Sequence, residues 1–141
     1  MKIVAVFAVV LGAAIAAASS RAQDVRTQWD GVYTDEQAKR GAALYFERCV
    51  HCHGATLTGA VDGAASLTGT TFYGNWNGVT LDLMLERVRT TMPVDNPATL
   101  SRQQTADLIA YILSVNRAPS GDIELPADAG LLKTITIVTP A

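Results

Sequence analysis

Cysteine and histidine are scarce in this 141-residue chain, with two of each. A structural zinc site takes four such ligands. Cys49, Cys52 and one His fall short of that, with no Cys or His elsewhere to complete the set. Basic residues are in no surplus, at 11 against 13 acidic ones, so the polyanionic backbone of a nucleic acid is not an expected partner. No βαβ pattern surrounds the cysteines, which a thioredoxin-like C-x-x-C would want. No internal repeat is visible. The apolar run at residues 3–18 is 16 residues long, below the roughly 20 that a spanning helix needs.

What is present is concentrated in Cys49-Val50-His51-Cys52-His53, which holds every Cys and His in the chain. C-x-x-C-H is the pattern of covalent haem attachment. Two thiols spaced this way can form thioethers with the vinyl groups of a haem, and the imidazole that follows is carried under the iron as an axial ligand. A redox dithiol and a metal site remain as alternatives. A plain disulfide between Cys49 and Cys52 would close a tiny loop and leave His53 unexplained. His51 is expected to face solvent. The His53 ring needs an acceptor for its other N–H, and a backbone carbonyl within residues 63–66 is the candidate.

The organisation follows from the ends inward. Met1-Lys2, the apolar run and Ser20-Arg21-Ala22 read as a secretory signal over residues 1–22, cleaved before Gln23. An uncleaved membrane anchor is the alternative, and the protein would meet a membrane only in that case. With no Cys at the junction, a lipid anchor on an N-terminal cysteine is not available. Export suits covalent haem, which is assembled outside the cytoplasm, and a bacterial periplasm is the expected address. Losing Lys2 and Arg21 leaves nine basic against 13 acidic side chains, a mature charge of about −4. Residues 23–33 are a polar lead-in pinned by Trp29 and Tyr33, residues 34–118 the main domain, and residues 119–141 a C-terminal tail.

Thr34 and Gln37 form an apparent capping box, and the helix they start runs to about Cys49. Ala38, Gly41, Ala42 and Tyr45 make its buried stripe. Gly41 costs about 1 kcal/mol in a helix, which a close crossing by another helix would offset. Residues 54–77 read as a long loop, reasonable if it wraps a large flat cofactor, with Leu57, Leu67, Phe72 and Trp76 packing on it. Thr80 starts a helix with Leu81, Met84, Leu85 and Val88 inward and Asp82, Glu86, Arg87 and Arg89 outward. It stops by Thr91, because Pro93 disfavours helical geometry at Met92. Ser101 and Gln104 form a second box, before a helix that buries Leu108, Ile109, Ile112, Leu113 and Val115 and ends near Asn116. The β-branched run Thr134-Ile135-Thr136-Ile137-Val138 suggests a short strand or an extended strap.

A soft thioether on the second haem face would close the iron and raise its potential. Met84 falls in an apolar stripe and reads as core. Met92, in a loop stiffened by Pro93 and Pro97, is the expected sixth ligand. Asn75 and Trp76 are candidates for hydrogen bonds to a haem propionate, or for shaping their loop.

Taken together, the helix running into Cys49-Val50-His51-Cys52-His53, the Met92-Pro93 loop and the final helix with Asp107-Leu108-Ile109-Ala110-Tyr111 resemble the class I cytochrome c family. The resemblance covers roughly residues 34–116. It implies an all-α fold in which three main helices wrap one covalent haem c, with long loops and an extended C-terminal tail. It also implies that the first and last helices cross at Gly41, Tyr45, Leu108 and Tyr111. One departure is Ala64-Ala65-Ser66, where the family usually has a proline whose carbonyl holds the proximal His. The function implied is electron transfer without enzymatic activity of its own, between redox partner proteins. Asn75-Trp76-Asn77-Gly78 and the loop from Thr91 to Pro97 look like those of periplasmic cytochromes associated with quinoprotein alcohol dehydrogenases. A quinoprotein dehydrogenase and a terminal oxidase are therefore the partner candidates, and membership of such a dehydrogenase complex is the alternative. A haem enzyme or gas sensor would need a vacant sixth position.

Overall fold

The computed structural model describes residues 26–59 and 63–141. The signal segment of residues 1–22 lies outside the described residues. Helices dominate: α1 (Asp35–Arg48), α2 (Val50–His53), α3 (Gly69–Trp76), α4 (Leu81–Thr91), α5 (Arg102–Val115) and α6 (Ala129–Leu132). Two short strands, β1 (Arg26–Thr27) and β2 (Ile135–Thr136), pair in parallel.

The crossing of α1 and α5 is the main helix contact. A Cβ on Gly41 would lie 1.8 Å from Asp107 O and 2.9 Å from Tyr111 Cβ, so only glycine permits this approach. Tyr45 and Tyr111 extend the contact with ring centroids 5.4 Å apart. Leu108, Ile109, Ile112 and Leu113 are buried as expected, whereas Val115, in the last turn, is exposed.

The caps separate into one full box and one half box. At Ser101 the side chain accepts from Gln104 N–H, and the Gln104 side chain accepts from Ser101 N–H. At Thr34 only the first half forms, at 3.1 Å from Gln37 N. The Gln37 amide turns inward instead. It donates to Leu125 O at 2.9 Å and to Asp107 Oδ1 at 3.2 Å, and accepts from Leu125 N at 2.7 Å. A buried amide satisfied on both ends is worth more than one reaching back across an exposed cap.

Residues 54–77 are not loop throughout, because α3 occupies their second half. Phe72 and Tyr73 drive it, both buried and packed edge to face at 5.2 Å. Leu57 and Phe72 are fully covered by the polypeptide itself, while Leu67 and Trp76 stay partly exposed at the rim of the core. In α4, Leu81, Met84 and Leu85 are buried and Val88 is partly so, as the stripe requires. Asp82, expected outward, is buried too, because Thr80 Oγ1 hydrogen-bonds its carboxylate.

The tail is built into the body. Leu125, Leu132, Ile135 and Ile137 are core residues. Gln28 grips Val138 as Gln37 grips Leu125, donating to its carbonyl at 2.5 Å and accepting from its N–H at 2.9 Å. Asn77 Oδ1 accepts from Thr139 N and Oγ1, and Gly78 and Val79 exchange backbone hydrogen bonds with Ile137. Tyr33 is buried and donates to Ala118 O at 2.5 Å, fastening the lead-in to the end of α5. Trp29, half-buried, donates to Val138 O.

Candidate functional site

The helix α1 delivers its last turn directly into the attachment motif. Cys49 caps it, donating to Tyr45 O at 2.8 Å. The chain then makes one tight turn, with Cys52 N and His53 N both donating to Cys49 O and Gly54 N to Val50 O. Helical spacing of three and four residues brings Cys49, Cys52 and His53 toward one side of that turn. His51, two residues from Cys49, is exposed. The Tyr45 hydroxyl donates to Gly54 O at 2.6 Å and pins the far end of the turn to α1. Burial, foremost, pushes that phenol up to about 12, so it stays a donor.

No disulfide joins Cys49 and Cys52. Burial raises the Cys49 thiol to about 11, with Arg48 pulling weakly the other way. A redox dithiol wants the opposite, a thiolate held low by positive neighbours. Among the described residues there is no group of three or more His, Cys, Asp or Glu placed to hold a metal ion. The dithiol alternative therefore loses ground to covalent attachment.

His53 Nδ1 lies 3.0 Å from Ala65 O, within the stretch expected to supply the acceptor. A carbonyl only accepts, so Nδ1 carries the proton and Nε2 is the nitrogen able to meet a metal. Two thiols at this spacing, with one imidazole oriented this way, fit a haem c.

Met84 is buried in the core, and Met92 is half-buried. Met92 caps α4 in an extended conformation and donates to Val88 O at 2.9 Å. The loop after it turns at Pro93 and Asn96, whose backbones bond at 3.0 Å, and ends at buried Leu100 before the Ser101 box. Glu86 bridges the two ends of that loop. It meets Arg89 on α4 at 3.0 Å and Arg102 on α5 at 2.5 Å. Its Oε1 is buried and sits within ion-pair reach of Arg102. Asn75 is exposed near the end of α3 and Trp76 is half-buried there.

Sequence reading placed Ser66 in the acceptor stretch and Asn116 at a helix end, but gave no bonding role to either, nor to Gly59, which lies against residues 64–66. The one available signal was Asn116 at a helix end, where asparagine is common.

A family model described as cytochrome C oxidase, cbb3-type, subunit III matches residues 36–112, more than half of the chain. The match spans Cys49, His53 and Met92. No curated protein and no solved structure matches. No helix among the described residues is long and apolar enough to cross a membrane.

Proposed function

We propose a function from one premise: the chain belongs to the cytochrome c family, as a class I c-type domain with one covalent haem c. Its chemistry is electron transfer and its partners are redox proteins. A bound haem would supply that chemistry, a one-electron redox couple. The polypeptide supplies attachment, ligands and a surface for docking.

In this reading Cys49 and Cys52 carry the thioethers, and His53 and Met92 are the axial ligands. Asn75 and Trp76 serve the propionates. With His53 and Met92 both holding the iron, no position would be open for a substrate, which favours a carrier over an enzyme. The observation that carries the reading is the His53 Nδ1 to Ala65 O contact at 3.0 Å, immediately after two cysteines that form no disulfide. It is the arrangement that presents Nε2 to an iron. We place the carrier in the periplasm after signal removal, between a quinoprotein dehydrogenase and a terminal oxidase.

A visible spectrum with a redox titration tests the reading. The expected result is a low-spin spectrum in both states, one reversible one-electron wave and no carbon monoxide binding at neutral pH. Ready binding of carbon monoxide by the reduced protein would remove Met92 as a ligand and favour a sensor or enzyme.

A second reading is an electron-transfer subunit held within a complex. The matching family, an oxidase subunit, supports it. Stoichiometric copurification with a dehydrogenase or oxidase from native extract selects this reading. Elution as a lone small protein selects the free carrier.

A further inference from the structure

We propose that Ser66 and Asn116 are positioning residues for the axial imidazole, fixing the loop whose Ala65 carbonyl holds the His53 ring. The inference rests on the reading of His53 as the iron's nitrogen ligand.

A carbonyl orients a ring only if the carbonyl is itself held. Ala64 and Ala65 bring nothing but methyl groups, and Ala65 is exposed. The restraint comes from their neighbours. Leu67 N donates to Leu57 O at 2.7 Å and closes the loop on itself. The Ser66 hydroxyl lies 3.4 Å from Leu57 O and 3.2 Å from Thr68 O. Its single hydrogen serves one of them while its oxygen accepts from Thr68 N at 3.3 Å.

Asn116 grips the same loop from the opposite end of the sequence. It is buried at the C-terminal cap of α5. Its Oδ1 accepts from Gly69 N at 3.0 Å, and its Nδ2 donates to Leu67 O at 2.9 Å and to Ile112 O at 2.8 Å. Tyr73 donates to the Asn116 carbonyl at 3.3 Å, so α3 is tied in as well. The other side of the loop is closed by backbone. A Cβ on Gly59 would lie 2.2 Å from Ala64 O and 3.0 Å from Ser66 N. Gly59 N–H in turn donates to His53 O at 3.0 Å. A continuous path of short contacts thus runs from the end of α5 through residues 65–69 to the His53 ring.

The consequence is electronic as well as steric. A firm acceptor at Nδ1 makes the imidazole a stronger donor to iron. Loosening the loop weakens that donation, which favours the ferrous state and moves the potential up.

The test uses the reduced holoprotein, with two readouts: solvent exchange of the His53 Nδ1 proton by NMR, and a redox titration. Ser66→Ala is expected to speed exchange roughly fivefold, the factor carried by one hydrogen bond of about 1 kcal/mol, and to shift the potential upward. Ser66→Thr, which keeps the hydroxyl, restores both. Asn116→Ala shifts both further in the same direction, and Ser66→Ala alone decides if that variant does not fold. Lower thermal stability with unchanged exchange and potential in Ser66→Ala overturns the proposal. A His53→Gly variant separates the two levels. If it keeps the wild-type ligation spectrum, the axial reading itself fails; if it loses that spectrum while Ser66→Ala is silent, only the positioning role falls.

Discussion

Two methionines, one inside α4 and one at its cap, have opposite surroundings. Met84 is enclosed by the core and has no freedom to do anything but pack. Met92 is half-buried at the head of a loop anchored on both sides. The thioether ligand proposed above must not wander, and the Met92 backbone is held by Val88. Met92→Ala is expected to give a folded, haem-containing protein with a lower potential and new carbon monoxide binding. Visible spectra of the reduced variant with and without the gas check it; spectra identical to wild type would place the ligand elsewhere. Gly41 makes a sharper residue-scale prediction. Alanine there gains about 1 kcal/mol of helix propensity. Its methyl would meet the Asp107 carbonyl at 1.8 Å, and backbone cannot yield cheaply. Overpacking of that kind costs about 3 kcal/mol or more. Gly41→Ala should therefore lower Tm by about 10 °C, which calorimetry would show.

Between elements, charge does what apolar packing leaves undone. Asp107 on α5 accepts from Gln37, Gln103 and Arg40, and Arg40 reaches on to Glu124 in the tail. Glu86 ties α4 to α5 across the Met92 loop. Its carboxyl is held below the usual range, first by the hydrogen bond from Arg89 and then by the charge of Arg102. A depressed folded value means that the ties stabilise fully above the unfolded pKa of about 4.3 and fade as pH falls through the lower folded value. Urea midpoints measured from neutral to acid pH should show this. Glu86→Gln is expected to lower the neutral midpoint and to flatten the acid side of the difference curve. The helices around this tie were legible in sequence because their signals are local: a cap residue, a stripe, a proline that forbids continuation. Helix α3 was not, because its Gly-Thr-Thr start carries weak propensity and its stability comes from burying Phe72 and Tyr73 against distant elements. The capping box at Thr34 failed for the same reason, since the true partner of Gln37 lies 88 residues away.

For the molecule as a whole, the attachment motif could be read from one pentapeptide and the fold from that motif with the Met92-Pro93 loop and the final helix, but the role of the tail could not. Glutamine has no local pattern that announces a bond to remote backbone, and Gln28 and Gln37, both buried, spend their amides that way. Leu125, Leu132, Ile135 and Ile137 together contribute about 6–12 kcal/mol of burial. That equals the entire margin of a typical domain, about 5–15 kcal/mol. A chain ending at Ala118 is expected to lack fixed tertiary structure and to retain no haem, checked by near-ultraviolet circular dichroism and by absorbance of the purified product.

The clasp between Gln28 and Val138 spans 110 residues of sequence. A ribosome reading toward the C-terminus has therefore finished the whole haem-binding portion well before the last piece of the clasp exists. A polypeptide lacking Val138 has no clasp, so it presents Cys49 and Cys52 on an unclosed body. Nascent chains stalled before Val138 should be cut rapidly by protease, while the same chains carried through Ala141 should resist; equal resistance in both would mean that the body closes without its clasp.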